Sequence, residues 1–158
     1  MPSQQSFADL GVSQVVCDVL SKHGIDDPFA IQSLVVPDVL AGHDVLAKSP
    51  TGSGKTLAFA VPIVERLEAT DRRPSALILA PTRELALQIV DDLQEIAHAR
   101  ALSVVAIYGG AGIQRQIERA KRSHIVVATP GRLEDLIQRR AISLAHVKML
   151  VLDEADRM

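Results

Sequence analysis

The sequence predicts an α/β fold in which a parallel sheet is covered by helices on both faces, giving three layers. Five short apolar runs are continuous rather than alternating, which is typical of strands that are buried on both faces. Longer amphipathic segments separate these runs, and repeated strand–helix units of this kind imply parallel strands joined by crossover helices. The notable polar motifs follow directly after the runs, where open α/β sheets bind their ligands. The runs lie at 45–47 (within a predicted strand at 44–48), 76–80, 104–107, 125–128 and 149–152.

The segments outside these runs have helical spacing. A first helix is predicted at about 12–23 and a second at about 30–41, and Gly24 and Gly42 are their predicted ends. A further helix is expected to start near Gly54. Apolar residues spaced three and four apart, from Ala86 to Ala97, indicate another.

Composition limits the possible functions. The 158 residues are 47 % apolar and only 3 % aromatic, which allows one domain with an aliphatic core. The net charge of −2 argues against a bulk basic field, so any contact with nucleic acid must be local. The lone Cys17 lies in a helical apolar stripe and is expected to be a small buried residue, and the five histidines have no metal-ligand spacing.

Nothing in the sequence predicts a membrane or secretory protein. No apolar run approaches the roughly 20 residues that span a bilayer, and residues 1–5 lack the features of a signal peptide. We therefore expect a soluble protein in the reducing cytoplasm, without a membrane partner.

Residues 51–56, Thr-Gly-Ser-Gly-Lys-Thr, have the composition of a phosphate-binding loop between a strand and a helix. Glycines let backbone N–H groups point inward, and the helix N-terminus adds a positive dipole. Lys55 is expected to reach the outer phosphates, and the Thr56 hydroxyl to bind Mg²⁺. Ser49 stands where the general pattern has glycine, and the alternative is an ordinary glycine-rich turn.

The last apolar run leads into two adjacent carboxylates, Asp153 and Glu154. A carboxylate at this strand end can hold Mg²⁺ through water, opposite the phosphate loop. Its neighbour can polarise the attacking water as a general base. The alternative is a solvated acidic turn, which becomes less attractive because the phosphate loop is present in the same chain.

Several motifs now occur together and in a fixed order. With them the chain resembles the N-terminal RecA-like domain of DEAD-box ATP-dependent RNA helicases, with a P-loop of the NTPase type. The matching segments are Asp-Glu-Ala-Asp at 153–156, Pro-Thr-Arg-Glu-Leu-Ala at 81–86, Thr-Pro-Gly-Arg at 129–132, Gly-Gly at 109–110, and a segment at 24–32 that resembles the adenine-reading Q motif. Phe7 stands where the family keeps an isolated upstream aromatic residue.

The resemblance implies a role for each matching residue. Gln32 would bond the adenine edge, Phe7 would pack near the base, and Ile25 occupies a position where the family commonly has a stacking aromatic residue. The implied nucleotide-binding set is Phe7, Ile25, Gln32, Thr51, Gly52, Ser53, Gly54, Lys55 and Thr56, with Lys55, Asp153 and Glu154 as catalytic residues and Thr56 and Asp153 as the Mg²⁺ site. The implied contacts with single-stranded RNA are Pro81, Thr82, Arg83, Glu84, Gly109, Gly110, Thr129, Pro130, Gly131 and Arg132. Asp156 would couple the ATP site to the neighbouring motif.

As a domain, residues 1–158 are expected to be a partial RecA-like helicase ATP-binding domain, with a Q-motif region at 7–32, the P-loop at 49–56 and the DEAD motif at 153–156. In the family this domain continues with a Ser-Ala-Thr motif, whose strand lies between the phosphate-loop strand and the DEAD strand, and a second RecA-like domain follows. Without these parts we expect weak or no ATPase activity and no unwinding. The unpaired edges would then close up and pair, associate with another chain, or leave the domain marginally stable, and we expect association.

Two other functions stay open at this stage. A non-catalytic module could use the same fold to hold RNA or a protein. Another P-loop ATPase, such as a DNA translocase, is less consistent with Gln32 and with the motif at 81–86.

Overall fold

A computed structural model gives the structure of the chain and describes residues 4–50, 52 and 54–158. Four parallel strands form one sheet in the order β2-β3-β1-β4. The elements are α1 (Gln14–Lys22), α2 (Ala30–Leu40), α3 (Lys55–Arg66), β1 (Ala76–Leu79), α4 (Arg83–Ala99), β2 (Val104–Ile107), α5 (Ile113–Arg122), β3 (Ile125–Ala128), α6 (Pro130–Gln138), β4 (Met149–Leu152) and a closing 3-10 turn (Ala155–Arg157).

The predicted architecture is confirmed. Each of the three strand-to-strand connections contains a helix, which is why the strands run parallel. Four of the five predicted strands form where the apolar runs lie, with β1 one residue shorter than its run. In the described part of the chain, no helix is long and apolar enough to cross a bilayer.

The strands are apolar throughout because each face of the sheet has its own core. On one face, Ile78 and Val127 pack among residues of α1 to α4, such as Ile63 and Ile89. On the other face, Leu77, Val105 and Val126 pack with Leu133 and Leu136 of α6. Successive side chains of a strand point to opposite faces, so a sheet between two cores needs continuous rather than alternating apolar residues.

The predicted strand at 44–48 is wrong. Residues 43–50 have no regular secondary structure, and Val45 and Leu46 are exposed. A strand needs a neighbouring strand to bond its backbone N–H and C=O groups. This segment has no strand partner in the sheet, because β4 pairs with β1 alone. The segment and β4 therefore do not close up and pair.

The helix boundaries follow local chemistry. Gly24 and Gly42 follow α1 and α2 with φ of +73° and +89°, as predicted for residues that end a helix. At the start of α4, the Thr82 hydroxyl accepts a bond of 3.2 Å from the backbone N–H of Leu85, so Thr82 is an N-cap. Cys17 is half-buried against the core, and burial raises the pKa of its thiol above the usual range. That environment suits the packing role expected of it.

Candidate nucleotide and nucleic-acid site

The predicted site segments meet at the carboxyl edge of the sheet. Backbone hydrogen bonds extend the sheet past its strands, from Thr129 N to Ile107 O at 2.9 Å, from Ala80 N to Ala128 O at 3.0 Å and from Asp153 N to Leu79 O at 2.9 Å. The segments that follow β2, β3, β1 and β4 therefore lie side by side in that order. The fold thus collects motifs that are spread over residues 81–156 of the sequence into one continuous edge.

At one end of this edge the phosphate loop meets the acidic strand end. The Nζ atom of Lys55 lies 3.1 Å from Oδ1 of Asp153. The Asp153 side chain is only 4 % exposed, whereas that of Lys55 is 33 % exposed. A buried carboxylate without a partner is costly, and Lys55 supplies the compensating charge. The first residue of α3 and the residue after β4 are therefore held in direct contact.

The remaining predicted residues of this end lie around that pair. Thr56 is half-buried in the first turn of α3, next to Lys55. Glu154 is half-buried with φ of +49°, and its Oε2 lies 3.6 Å from Nη1 of Arg157, while Asp156 is exposed. Gly52 is exposed. Thr51 and Ser53, which were predicted to bind nucleotide, lie outside the described residues.

The donor set suits magnesium better than a metal held by protein side chains alone. No cluster of three or more His, Cys, Asp or Glu side chains forms a metal site in the part of the chain that the structure describes. Mg²⁺ is commonly bound by one or two carboxylates together with water and substrate phosphates. The Asp153 carboxylate and the Thr56 hydroxyl are ligands of that kind, beside a loop of phosphate-binding composition.

A cavity of about 300 Å³ lies behind the phosphate loop, and two predicted adenine-contacting residues line it. Gln32 is 1 % exposed, and its Oε1 accepts a bond of 2.9 Å from the backbone N–H of Phe29. Its Nε2 donates to the backbone oxygen of Gly54 at 3.0 Å. Gln32 thus ties the start of α2 to the start of α3, and Ile25 contributes apolar surface to the same cavity.

Gly54 is required where it stands. A Cβ atom on this residue would lie 2.5 Å from both Gln32 Nε2 and Phe29 Cδ2, and φ is +82°. Any side chain here would displace the glutamine and strain the backbone. The close approach of the loop to Gln32 thus depends on glycine.

Two phenylalanines of this region have different environments. Phe7 is 2 % exposed within the core among residues such as Leu10 and Val16, and it does not line the cavity. Phe29, which sequence reasoning did not single out, lines the cavity and is 58 % exposed. Its position three residues before Gln32, inside the Q-like segment, was the available signal.

The rest of the edge carries the segments predicted to contact RNA. Gly109, Gly110 and Gly131 are exposed, as are Thr82, Arg83 and Glu84, and Pro81, Thr129 and Pro130 are half-buried. The Arg83 guanidinium lies over the ring of Tyr108, 4.9 Å from its centroid, which links the segment after β1 to the segment after β2.

Arg132 is less exposed than Arg83 and is held by hydrogen bonds. Its Nη1 donates to the backbone oxygen of Ala111 and to Oε1 of Gln116, each at 3.1 Å. Because the guanidinium is half-buried and directed at these two acceptors, Arg132 braces the loop after β2.

Gln116 is the second residue that sequence reasoning missed. It is 7 % exposed, accepts from Tyr108 N at 3.3 Å and donates to Tyr108 O at 3.0 Å, besides accepting from Arg132. Its amide therefore connects the strand end before Gly109 with the segment after β3. The signal was a glutamine on the apolar face of α5, four residues before the buried Ala120.

Comparison with known proteins gives a consistent family. A model of the DEAD/DEAH box helicase family matches residues 29–158. The RNA helicase CrhR of Synechocystis is 46 % identical over 154 residues, which is 97 % of this chain and 31 % of that protein. The ATP-dependent RNA helicase DeaD of Escherichia coli K12 is 41 % identical over 157 residues, 98 % of this chain and 25 % of that protein. The chain thus spans about a third or less of the length of these relatives.

Solved structures agree with these relatives. A crystal structure of a DEAD box protein from Methanococcus jannaschii has a TM-score of 0.92 and 39 % identity, covering 97 % of this chain and 42 % of that one. A hypothetical ATP-dependent RNA helicase from Sulfolobus tokodaii has a TM-score of 0.83 and 35 % identity, covering 91 % of this chain and 42 % of that one. The family model, these relatives and the shared fold together show that the chain belongs to the DEAD/DEAH box helicase family.

Proposed function

We propose that this chain is the ATP- and RNA-binding first domain of an ATP-dependent RNA helicase. The observation that carries the proposal is the 3.1 Å contact between Lys55 and Asp153. It brings together a lysine at a helix N-terminus and a buried carboxylate at a strand end, the two charges that an ATP–Mg²⁺ complex needs from its protein.

Each residue of this end has a distinct chemical task. In the free chain Lys55 neutralises Asp153, and on binding its ammonium would turn to the outer phosphates of ATP, leaving Asp153 and Thr56 to hold Mg²⁺. Bound Mg²⁺ would neutralise charge on the phosphates. Glu154 would polarise the attacking water as a general base, because its carboxylate leaves the same strand end.

The cavity behind the loop is the proposed place of the adenine. Gln32 uses one lone pair for Phe29 N and one N–H for Gly54 O. An amide has two N–H groups and further acceptor capacity, so Gln32 keeps one donor and one acceptor for a base. Adenine presents a donor beside an acceptor, and this complementarity would favour ATP over GTP. Ile25 and Phe29 supply apolar contact.

The remaining edge is the proposed RNA track. Exposed Gly109 and Gly110 offer backbone N–H groups, the segments at 81–84 and 129–132 open helices α4 and α6, and Arg83 adds a local charge. Helix N-termini and backbone N–H groups bind phosphate oxygens without reading bases, so binding would show little sequence preference. A local backbone track also explains how a chain with a net charge of −2 can hold RNA.

Catalysis by this chain alone is proposed to be weak or absent. In related phosphoryl-transfer systems an arginine finger supplied by a second element contributes about 10³–10⁵ in rate. The second RecA-like domain of longer family members would bring such a group, along with further RNA contacts. We therefore expect nucleotide binding without appreciable turnover and without unwinding.

The free edge of β4 is the proposed site of self-association. Leu150 and Leu152 are 59 % and 54 % exposed, on a part of the sheet that α5 and α6 do not cover, and the outer backbone groups of β4 have no strand partner among the residues that the structure describes. An exposed apolar edge strand is a template for pairing with another chain. A second copy of this chain carries the same edge, so pairing of two copies would cover the exposed leucines and bond the free backbone groups of both β4 strands.

Nucleotide titration distinguishes this function from a non-catalytic binding module. Fluorescent ADP with Mg²⁺ should bind the unaltered chain, and Lys55→Ala should weaken binding at least tenfold. Lys48→Ala removes an exposed lysine seven residues earlier and should bind like the unaltered chain. Equal affinity of the Lys55→Ala variant and the unaltered chain would favour the binding module. Preference for single-stranded DNA over RNA in direct competition would favour a DNA translocase.

A further inference from the structure

A second cavity lies at the opposite end of the sheet from the Lys55–Asp153 contact. It has a volume of about 620 Å³, within the range of small-ligand sites. It is lined by residues just before β1, by the last turns of α5 and α6 and by the segment after α6, so it lies at the amino ends of the strands. Strands of four residues span about 13 Å, which separates this cavity from the ATP edge.

Three basic side chains line the cavity and no acidic side chain does. They are those of Arg73, Lys121 and Arg140, and none of the three forms an ion pair within the described residues. Arg73 is held in place by a 2.9 Å bond from Nη1 to the backbone oxygen of Arg122. The cavity therefore presents three cationic groups without a compensating carboxylate.

Two carboxylates in the segments that adjoin the cavity have other partners. Asp135 accepts from Arg139 at 2.9 Å, and Asp71 accepts from Lys148 at 2.8 Å. The helix C-termini beside the cavity do not balance the charge either, since each carries about half a negative charge. Two such ends against three full positive charges leave a net positive cavity.

The charge distribution of the whole chain is uneven in the same sense. Segments 72–73, 119–122 and 139–140 hold seven of the 17 basic residues and no acidic residue. The other ten basic residues share the rest of the chain with all 19 acidic ones. The overall charge of −2 therefore conceals a basic region at the amino end of the sheet.

The walls of the cavity are largely aliphatic. Pro74 and Ile142 are buried, while Ile137 is 42 % exposed and Leu144 is half-buried. A bare phosphate would leave this apolar surface uncovered, whereas a sugar or base attached to the phosphate would cover it. The lining has no aromatic side chain, so base stacking is not available and no strong preference among bases is expected.

We propose that this cavity is a second binding site for a phosphate-bearing nucleotide unit, supplied by single-stranded RNA that extends beyond the main track. Arg73, Lys121 and Arg140 would hold the phosphate, and the aliphatic wall would contact the ribose and base. The RNA source rests on the proposed function, whereas the anion site itself does not. An extended acidic peptide fits less well, because β1 and β3 are interior strands with no free edge to bond its backbone.

Amide chemical shifts, followed by NMR on the whole chain, test the site directly. Titration with a twelve-nucleotide oligo(U) RNA should shift the amides of residues 140–144 and 121–123 as well as those at 109–110. Uridine monophosphate should shift the amides of residues 140–144 and 121–123 but not those at 109–110, and it should need a higher concentration to do so. This second arm distinguishes a free nucleotide from a strand as the source of the phosphate.

Charge-removing variants give a quantitative readout. Lys121→Gln combined with Arg140→Gln should lower the dependence of log affinity on log salt for RNA by about 0.7, because the one phosphate held in the cavity contributes about 0.7 for a single strand. Lys22→Gln combined with Lys48→Gln removes two charges elsewhere and should leave the slope unchanged. All four side chains are exposed, so folding should survive the substitutions.

The outcomes separate this proposal from the proposed function. RNA-induced shifts at 109–110 without shifts at 140–144 would overturn the second site and leave the helicase assignment intact. Shifts at 140–144 alone would support the anion site and count against the main RNA track. Tighter binding of a glutamate-rich peptide than of the RNA at 140–144 would also overturn the proposal.

Discussion

Replacing Gln116 by leucine tests the hydrogen-bond network beside the Gly109–Gly110 loop, which is proposed to bind RNA. The change keeps the size of the side chain but removes three hydrogen bonds, two to the backbone of Tyr108 and one from Arg132. A net contribution of about 1 kcal/mol per bond, partly offset by burial of the leucine side chain, gives a loss of about 2 kcal/mol in the free energy of unfolding. Arg132 keeps its bond to Ala111, which limits the loss.

Urea denaturation followed by circular dichroism measures this loss, and Gln114→Leu is the matched control. Gln114 lies on the same helix, is exposed, and should change the free energy of unfolding by less than about 0.5 kcal/mol. RNA affinity should also fall in the Gln116 variant, because the Gly109–Gly110 loop loses its brace. If the two variants unfold at the same urea concentration, Gln116 does not hold this edge together.

Three further predictions concern other parts of the chain. Ile25→Phe should tighten adenine nucleotide binding about tenfold in titration, since an aromatic ring can stack on the base, and unchanged affinity would place the base elsewhere. The backbone N–H of Glu68 bonds the Asp71 carboxylate and holds its pKa below the usual range, so this carboxylate stabilises the fold above about pH 4 and loses that effect as the pH falls further. Asp71→Asn should therefore be less stable than the unaltered chain at pH 7 but nearly equal at pH 2, and a gap that persists in acid would contradict this. Leu150→Lys should abolish concentration-dependent association in sedimentation experiments while Leu34→Lys, an exposed change on α2, should not.

The sheet was predictable because its signal is local. Each of the four strands is a continuous apolar run, with a core on both sides of β1, β2 and β3 and on one side of β4, and each crossover helix repeats its apolar residues at helical spacing. The segment at 44–48 has the same composition and still forms no strand. Whether this segment forms a strand depends on whether a partner strand lies beside it, and composition alone does not contain that information.

The site was predictable only in part for a related reason. Lys55 and Asp153 are recognisable because each follows an apolar run and carries the expected chemistry, and the structure places them 3.1 Å apart. Gln116, in contrast, contacts backbone atoms of Tyr108 and a side chain 16 residues away. Such contacts arise from packing of α5 against the strand ends. In the sequence they are indicated only by a single polar residue on an apolar helix face.

The basic cavity is a third feature that could not be predicted from the sequence. Its three cations come from segments near residues 73, 121 and 140, and each segment alone resembles an ordinary solvated turn or helix end. Only the parallel topology brings the amino ends of β1 and β3 together and makes the charges converge.

The most direct test of the ATP site is the Mg²⁺ dependence of nucleotide binding in the unaltered chain and in Asp153→Asn. Affinity for ADP is measured once with Mg²⁺ and once with a chelator. Because Asp153 is proposed to hold the metal beside the phosphates, Mg²⁺ should tighten binding to the unaltered chain and have little effect on the variant. Equal affinities with and without Mg²⁺ in the unaltered chain, or the same gain from Mg²⁺ in Asp153→Asn, would contradict the assignment.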